Sequence, residues 1–223
     1  RTMLSTATHD SKRGEDVRWR LCVLSEIAHE WAACVGRWRR LKRHHRREPG
    51  APEVVQEYLL LQSLLGIWPA NADLADMDAL RERLCEYAIK AAREAKQATS
   101  WLDPDEEVER GLRELVARML PEQGAAGFER YFRPVIDPVL YFGMFNALAA
   151  LVLKLTAPGI PDFYQGTELP SLVLVDPDNR RPVDLDAHAA QLAAIDALAA
   201  SRPLPEVVSA LLSSWQDGRL KMY

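Results

Sequence analysis

Leu155-Thr156-Ala157-Pro158-Gly159-Ile160-Pro161-Asp162-Phe163-Tyr164-Gln165-Gly166-Thr167-Glu168 is where the texture of this sequence changes. Before it, Pro138 to Leu155 is apolar nearly all round, the pattern of a centrally placed helix. After it, Thr156 to Leu174 is short of helix formers and carries Pro158, Gly159, Pro161, Gly166 and Pro170. Ile160 to Tyr164 reads as one brief buried strand, followed by a functional loop. A second strand end opens the chain: Thr2 to Thr8 is rich in β-branched and small residues and runs into Thr8-His9-Asp10-Ser11-Lys12-Arg13. Between the two lies helix, so the expected fold class is mainly α, a helical body flanked by strand ends.

The helices follow from spacing and punctuation. Val17, Leu21, Leu24, Ala28, Trp31, Val35 and Trp38 recur in steps of four and three, predicting one long helix that frays near Glu48-Pro49-Gly50. A second starts by Pro52-Glu53 and stops before Trp68-Pro69, because a residue preceding proline is pushed out of the α region. A third occupies about Asp78 to Ala98 with Leu80, Leu84, Ala88, Ala91 and Ala95 inward. Asp103-Pro104 followed by three acids is a helix start, with the aspartate as cap. Phe128 to Phe132 is read as a short helix separate from Pro138 to Leu155. Asp186 to Ala200 and Pro205 to Ser214 are helical, and Gly218 to Tyr223 reads as the beginning of a strand.

Composition narrows the function classes. A chain of 223 residues holds one large domain or two small ones. A formal net charge of −4 argues against nucleic acid or an acidic membrane as the main partner. The run Arg37-Trp38-Arg39-Arg40-Leu41-Lys42-Arg43-His44-His45-Arg46-Arg47 is the one feature pointing to nucleic acid, and a solvated helix C-terminus explains it equally. His44 and His45 are adjacent and cannot share a helix face as a metal pair. Cys22, Cys34 and Cys85 lack a CxxC spacing and read as buried thiols in a reducing cytoplasm. Val139 to Leu153 falls short of the roughly 20 residues a membrane span needs, and Asn146 interrupts it. No apolar leader opens the chain, and the first residue is not methionine, so a fragment is expected.

Each motif has two readings. Thr8-His9-Asp10 after a strand is a place where catalytic side chains project in α/β barrels, and an aspartate there stabilises developing oxocarbenium charge. It is equally a helix cap. Phe163-Tyr164-Gln165-Gly166-Thr167-Glu168 offers an aromatic face and bidentate polar partners for a polyhydroxyl ligand, or is a turn with its glycine. Asp176-Pro177-Asp178-Asn179-Arg180-Arg181-Pro182 holds arginine forks for sugar hydroxyls, or is a self-satisfied loop. Trp101 is a sugar-stacking side chain or a core aromatic.

In order along the chain, these segments resemble one family. Ser5-Thr6-Ala7-Thr8-His9-Asp10-Ser11-Lys12-Arg13-Gly14-Glu15-Asp16-Val17-Arg18 is similar to the maltooligosyltrehalose synthase segment around its third catalytic aspartate. Glu57-Tyr58-Leu59-Leu60, Lys90 to Lys96, Thr99-Ser100-Trp101, Leu155 to Glu168 and Val175 to Asp184 are similar to later segments of the same family. That family belongs to the α-amylase superfamily, glycoside hydrolase family 13, whose catalytic domain is a (β/α)8 barrel.

The resemblance implies an incomplete barrel. Residues 1–14 would end the seventh strand and carry the catalytic loop, and 15–155 would be a helical insertion domain. Residues 156–200 would hold the eighth strand, sugar-site loops and a following helix, and 201–223 would start a C-terminal domain. It implies an isomerase, an intramolecular glucosyltransferase of trehalose biosynthesis acting on maltooligosaccharides without cofactor or metal. Asp10 matches the transition-state-stabilising aspartate and His9 its hydroxyl-binding neighbour. Lys12, Arg13, Trp101, Tyr164, Gln165, Glu168 and Arg180 fall in motifs near the sugar. The nucleophile and acid/base motifs are not found in this sequence, so the chain alone is expected to be inactive and to need the N-terminal barrel portion as partner. Leu169-Pro170-Ser171 departs from the aromatic residue expected after Gly-Thr-Glu. Exposed barrel edges imply self-association.

Overall fold

In the computed structural model, residues 2–41, 50–71, 76–121 and 127–223 are described. The basic run beyond Leu41, with His44 and His45, lies outside them. Two three-residue strands, β1 (Met3–Ser5) and β2 (Ile160–Asp162), pair in parallel with Met3 opposite Ile160 and Ser5 opposite Asp162. Between them run α1 (Glu15–Cys22), α2 (Ala28–Leu41), α3 (Val54–Ile67), α4 (Met77–Ala95), α5 (Glu106–Met119) and α6 (Phe128–Thr156). After β2 come α7 (Leu185–Ser201), α8 (Leu204–Ser213) and the single turn α9 (Arg219–Met222). The expected mainly α architecture, helices between two strand ends, is what is observed.

The core is built on α3 and α6. Leu60, Leu61, Leu64 and Leu65 of α3 are fully buried, and Gln56 Oε1 accepts the Glu53 N–H at its start. Trp31, Trp38, Phe128 and Phe132 close the aromatic part of the core, with the two phenylalanine rings stacked at 4.4 Å.

Several expectations are corrected. The first helix is two: α1 tightens into a 3-10 turn over Val23–Ser25 before α2. The cause is a long-range contact, since Asn146 Nδ2 donates to the Trp19 carbonyl at 3.1 Å while the Val23 N–H turns to Arg20. The two helices expected around Pro134 and Pro138 are one helix of 29 residues. Each internal proline costs about 3 kcal/mol, offset here by burial of Phe132, Val135, Ile136 and Val139. The cap of α5 is Asp105, which accepts from Glu107 and Val108, whereas the Asp103 N–H is taken by Ser100. On α4, Ala92 is buried in place of Ala91 and Ala95. Of the cysteines only Cys34 is buried, and Cys22 is exposed. The last residues form a helical turn instead of a strand, opened by the Arg219 N–H donating to Asp217.

α6 is also less covered than a central helix should be. One face packs on α1 and α2, but Phe142, Phe145, Val152, Leu153 and Leu155 are exposed. It is the one described helix long and apolar enough to cross a membrane, with a mean hydropathy of 1.7. Its buried stripe is nevertheless that of a packed helix, carrying the buried Lys154 into an ion network.

Candidate functional site

Parallel pairing sends the chain out of β1 and β2 in the same direction, so Thr6 to Asp10 and Phe163 to Glu168 leave from one end of the pair. Beneath them is a buried ionic base. Lys154 Nζ donates to Thr6 Oγ1 at 2.8 Å and to the Asp162 carbonyl at 3.2 Å, joining the two strand ends, and lies 3.5 Å from Glu15. Thr6 Oγ1 donates to Glu15, and Lys221 donates to Glu15 at 3.0 Å and to Asp16 at 2.8 Å. Burial raises the Glu15 carboxyl, but Lys221, Thr6 and Lys154 together hold it below the ordinary carboxylate value. Arg20 donates to the Gly66 and Trp68 carbonyls, and its burial, opposed by Asp16, lowers its pKa to about 10. Lys221 reaches this network from α9, at whose start the Arg219 N–H donates to Asp217.

Above the base, Thr8 to Ser11 form a tight turn, with the Ser11 N–H donating to the Thr8 carbonyl. Asp10 is open to solvent at 85% side-chain exposure, 3.2 Å from His9 Nε2. It caps nothing: the N-cap position of α1 is Gly14, without a side-chain bond. Gly14 is hemmed in, since a Cβ there would sit 3.0 Å from Ser171 and Val173 atoms, and its N–H donates to the Val173 carbonyl at 2.8 Å.

The loop around the 3-10 turn Asp178–Arg180 is mostly self-satisfied. Asp178 is buried, bound by Arg83 Nε and Nη2 at 2.8 and 2.9 Å and by the Leu174 N–H. Arg180 lies 2.8 Å from Asp176 and is half-exposed. Asn179, which no sequence signal singled out, is the hub. Its side chain donates to the His9 carbonyl at 2.9 Å, and its own carbonyl accepts from Tyr164 Oη at 3.1 Å and Gln165 Nε2 at 3.3 Å.

Of the expected site residues, His9, Tyr164 and Gln165 are therefore brought together through Asn179 beside Asp10, whereas Arg180 turns to Asp176. Lys12 points to α4, pairing with Glu94 at 2.5 Å. The Arg13 guanidinium is held by Ser63 and the Leu59 carbonyl of α3. Glu168 faces α7, with His188 Nε2 3.9 Å away. Trp101 follows α4 and is 56% exposed, not core, with the Arg93 guanidinium 4.8 Å from its ring centre. Arg93 is clamped by Glu109 at 2.6 and 2.8 Å, and that pairing holds the Glu109 carboxyl below its ordinary value. Among the described residues there is no cluster of three or more His, Cys, Asp or Glu that would hold a metal.

Exposed aromatic rings, amides and carboxylates at one end of a parallel strand pair have the chemistry of a carbohydrate-binding edge. No family model matches the chain. A curated relative from Mycobacterium tuberculosis, assigned as a maltooligosyl trehalose synthase, is 39% identical over 198 residues, 87% of this chain and 24% of the relative. The solved maltooligosyltrehalose synthase from Arthrobacter ramosus is 38% identical over 99% of this chain and 27% of its own, with a TM-score of 0.70. A solved glycosyltrehalose synthase is 33% identical over 99% of this chain and 26% of its own, with a TM-score of 0.77. The chain belongs to the maltooligosyltrehalose synthase family. It spans about a quarter of the length of the relatives it matches.

Proposed function

We propose that this chain supplies one edge of the active site of an enzyme that converts the reducing-end α-1,4 bond of a maltooligosaccharide to an α,α-1,1 bond. The observation that carries the reading is the parallel β1–β2 pair with the Asp10 and Tyr164 loops leaving its same end. Active sites of (β/α)8 barrels lie at the carboxyl ends of the strands. On this reading β1 and β2 are the seventh and eighth strands, and α1 to α6 are an insertion between them.

In retaining chemistry a carboxylate attacks the anomeric carbon as its bond to the glycosidic oxygen breaks, a carboxylic acid protonates that departing oxygen, and positive charge builds on the ring. Asp10, 3.2 Å from His9 Nε2 and otherwise open to solvent, stabilises that charge and holds ring hydroxyls together with His9. The departing glucose then returns through its own anomeric hydroxyl, the acid/base recovers its proton, and the nucleophile is freed. No water is consumed, so the reaction is an isomerisation. The nucleophile and acid/base come from the portion of the enzyme preceding this chain. Tyr164, Gln165, Arg180, Lys12 and Trp101 are assigned to sugar contacts, and Glu168 and Arg13 to the walls of the site. A cytoplasmic enzyme is part of this reading, supported by the three free cysteines. The exposed apolar face of α6 is assigned to the remainder of the barrel, and in its absence to self-association.

The test is the loss of reducing ends from maltopentaose. The purified chain should cause none, whereas the chain joined to the preceding portion of a synthase should remove them without releasing glucose. Glucose release by the joined protein would replace the isomerase with a hydrolase of the same superfamily. Loss of reducing ends with the isolated chain would overturn the assignment of the missing carboxylates.

A further inference from the structure

Thr8, His9 and Asp10 are all exposed, so packing does not hold the turn that carries the Asp10 carboxylate. Most of the turn's hydrogen bonds are internal. The Thr8 N–H donates to Ser11 Oγ at 2.9 Å, the Ser11 N–H to the Thr8 carbonyl at 3.1 Å, and the Asp10 N–H to Thr8 Oγ1 at 3.3 Å. Such bonds give a turn its shape but not its place. Among the described residues, the hydrogen bonds that tie Thr8 to Ser11 to the rest of the fold come from one side chain. Asn179 Nδ2 donates to the His9 carbonyl at 2.9 Å and to the Thr8 carbonyl at 3.4 Å. Carbonyls only accept, so the amide can face them only with its nitrogen.

Asn179 is itself held fast. It is only 5% exposed, and its neighbour Asp178 is gripped by Arg83 of α4 through Nε and Nη2. Its backbone carbonyl accepts from Tyr164 Oη at 3.1 Å and Gln165 Nε2 at 3.3 Å. One buried residue therefore registers the loop after β1 against the loop after β2, and both against α4. Misplacing a reacting group by about 1 Å can cost roughly 100-fold in rate. We propose that Asn179 is a positioning residue: by holding the Thr8 and His9 carbonyls it fixes where the Asp10 carboxylate stands relative to the Tyr164 loop. It acts through Asp10 and makes no sugar contact of its own. The consequence for the reaction rests on the function proposed above, whereas the tether itself does not.

Asn179→Ala removes the tether alone, because the backbone carbonyl that receives Tyr164 and Gln165 remains. In the chain joined to the preceding portion of a synthase, it should lower kcat for the loss of reducing ends about tenfold to 100-fold, with KM changed less than about threefold. Added to Asp10→Asn, it should cost less than about threefold more, since the two residues act as one unit. Additive losses would reduce Asn179 to a structural role and overturn the proposal. An unchanged kcat, where Asp10→Asn abolishes turnover, would overturn it too and leave the proposed function standing. Full activity of Asp10→Asn would overturn that function and, with it, the part of Asn179 in the reaction. A second measurement needs no turnover. In the isotope-labelled chain, NMR order parameters of the Asp10 and Ser11 amides should lie near the rigid value of about 0.85 and fall toward about 0.6 in Asn179→Ala. The Thr167 amide, which donates to the Tyr164 carbonyl, should not change. A turn already at about 0.6 in the unsubstituted chain would overturn the tether.

Discussion

Lys221 Nζ lies 3.1 Å from Asp16 Oδ1 and 2.8 Å from Asp16 Oδ2, one buried ammonium astride one buried carboxylate across 205 positions of chain. A buried ion pair adds little over an apolar pair of the same volume, but breaking it strands a charge. Lys221→Met should therefore lower unfolding stability by about 3–5 kcal/mol, read by denaturant titration. A loss under 1 kcal/mol would mean that water reaches Asp16 and the base is not buried.

Acid should unfold the chain through the carboxylates held below their ordinary value. Glu15 and Glu109 are both lowered from 4.5, so their contribution is present above that pH and is lost as pH falls through the depressed folded values. Stability measured from pH 7 downward should stay level to about 4.5 and then fall. Glu109→Gln should flatten the acid limb while lowering the plateau, since Arg93 loses its partner.

Gly111 of α5 meets Gly50 so closely that a Cβ at Gly111 would lie 1.9 Å from the Gly50 carbonyl oxygen. Gly50 in turn holds φ +71°, the left-handed region that disfavours a side chain. Gly111→Ala should destabilise by about 1–3 kcal/mol despite its better helix propensity. An unchanged or raised melting temperature would contradict this approach of loop to helix.

Asp10 separates function from fold. It is exposed and caps no helix, so Asp10→Ala should change stability by no more than about 0.5 kcal/mol. In the complete enzyme the same change should cut the loss of reducing ends by about 100-fold or more, as for removal of a group that meets developing charge. Equal activity would remove Asp10 from the mechanism.

The bare face of α6 predicts association. The chain should sediment as dimers or larger species, and Phe142→Asp with Leu153→Asp should return it to monomer without loss of helix signal. A monomer across concentrations before substitution would show that the face stays solvated.

Local punctuation was legible: Trp68-Pro69 ends α3, and strands form within Thr2 to Thr8 and Ile160 to Tyr164, but each is only three residues long and, with Met3 and Ile160 exposed, neither is the buried strand expected. What could not be read were decisions made by distant partners. Asn146 breaks the first helical run by capturing a carbonyl of α1. Buried aromatic and aliphatic neighbours carry α6 through two prolines. Glu15, Asp16, Arg20, Lys154 and Lys221 each look like surface charges until they meet one another. The candidate residues Asp10, Tyr164 and Gln165 could be named from the sequence as types in order, but Asn179 hid in a loop where any polar residue looks ordinary. Only the fold reveals that its side-chain amide holds the Thr8–His9 carbonyls while its backbone carbonyl accepts from Tyr164 and Gln165.

α6 is gripped at three points along its length: Gly143 admits Arg20, Asn146 holds the Trp19 carbonyl, and Lys154 ties Thr6 to Asp162. A helix advances about 100° with each residue. One residue inserted between Gly143 and Lys154 would swing the lysine a quarter-turn or more out of the ion network while the glycine stayed fixed. Homologous sequences are thus expected to keep the count from Gly143 to Lys154 invariant, a spacing rule that outlasts drift in the residues themselves.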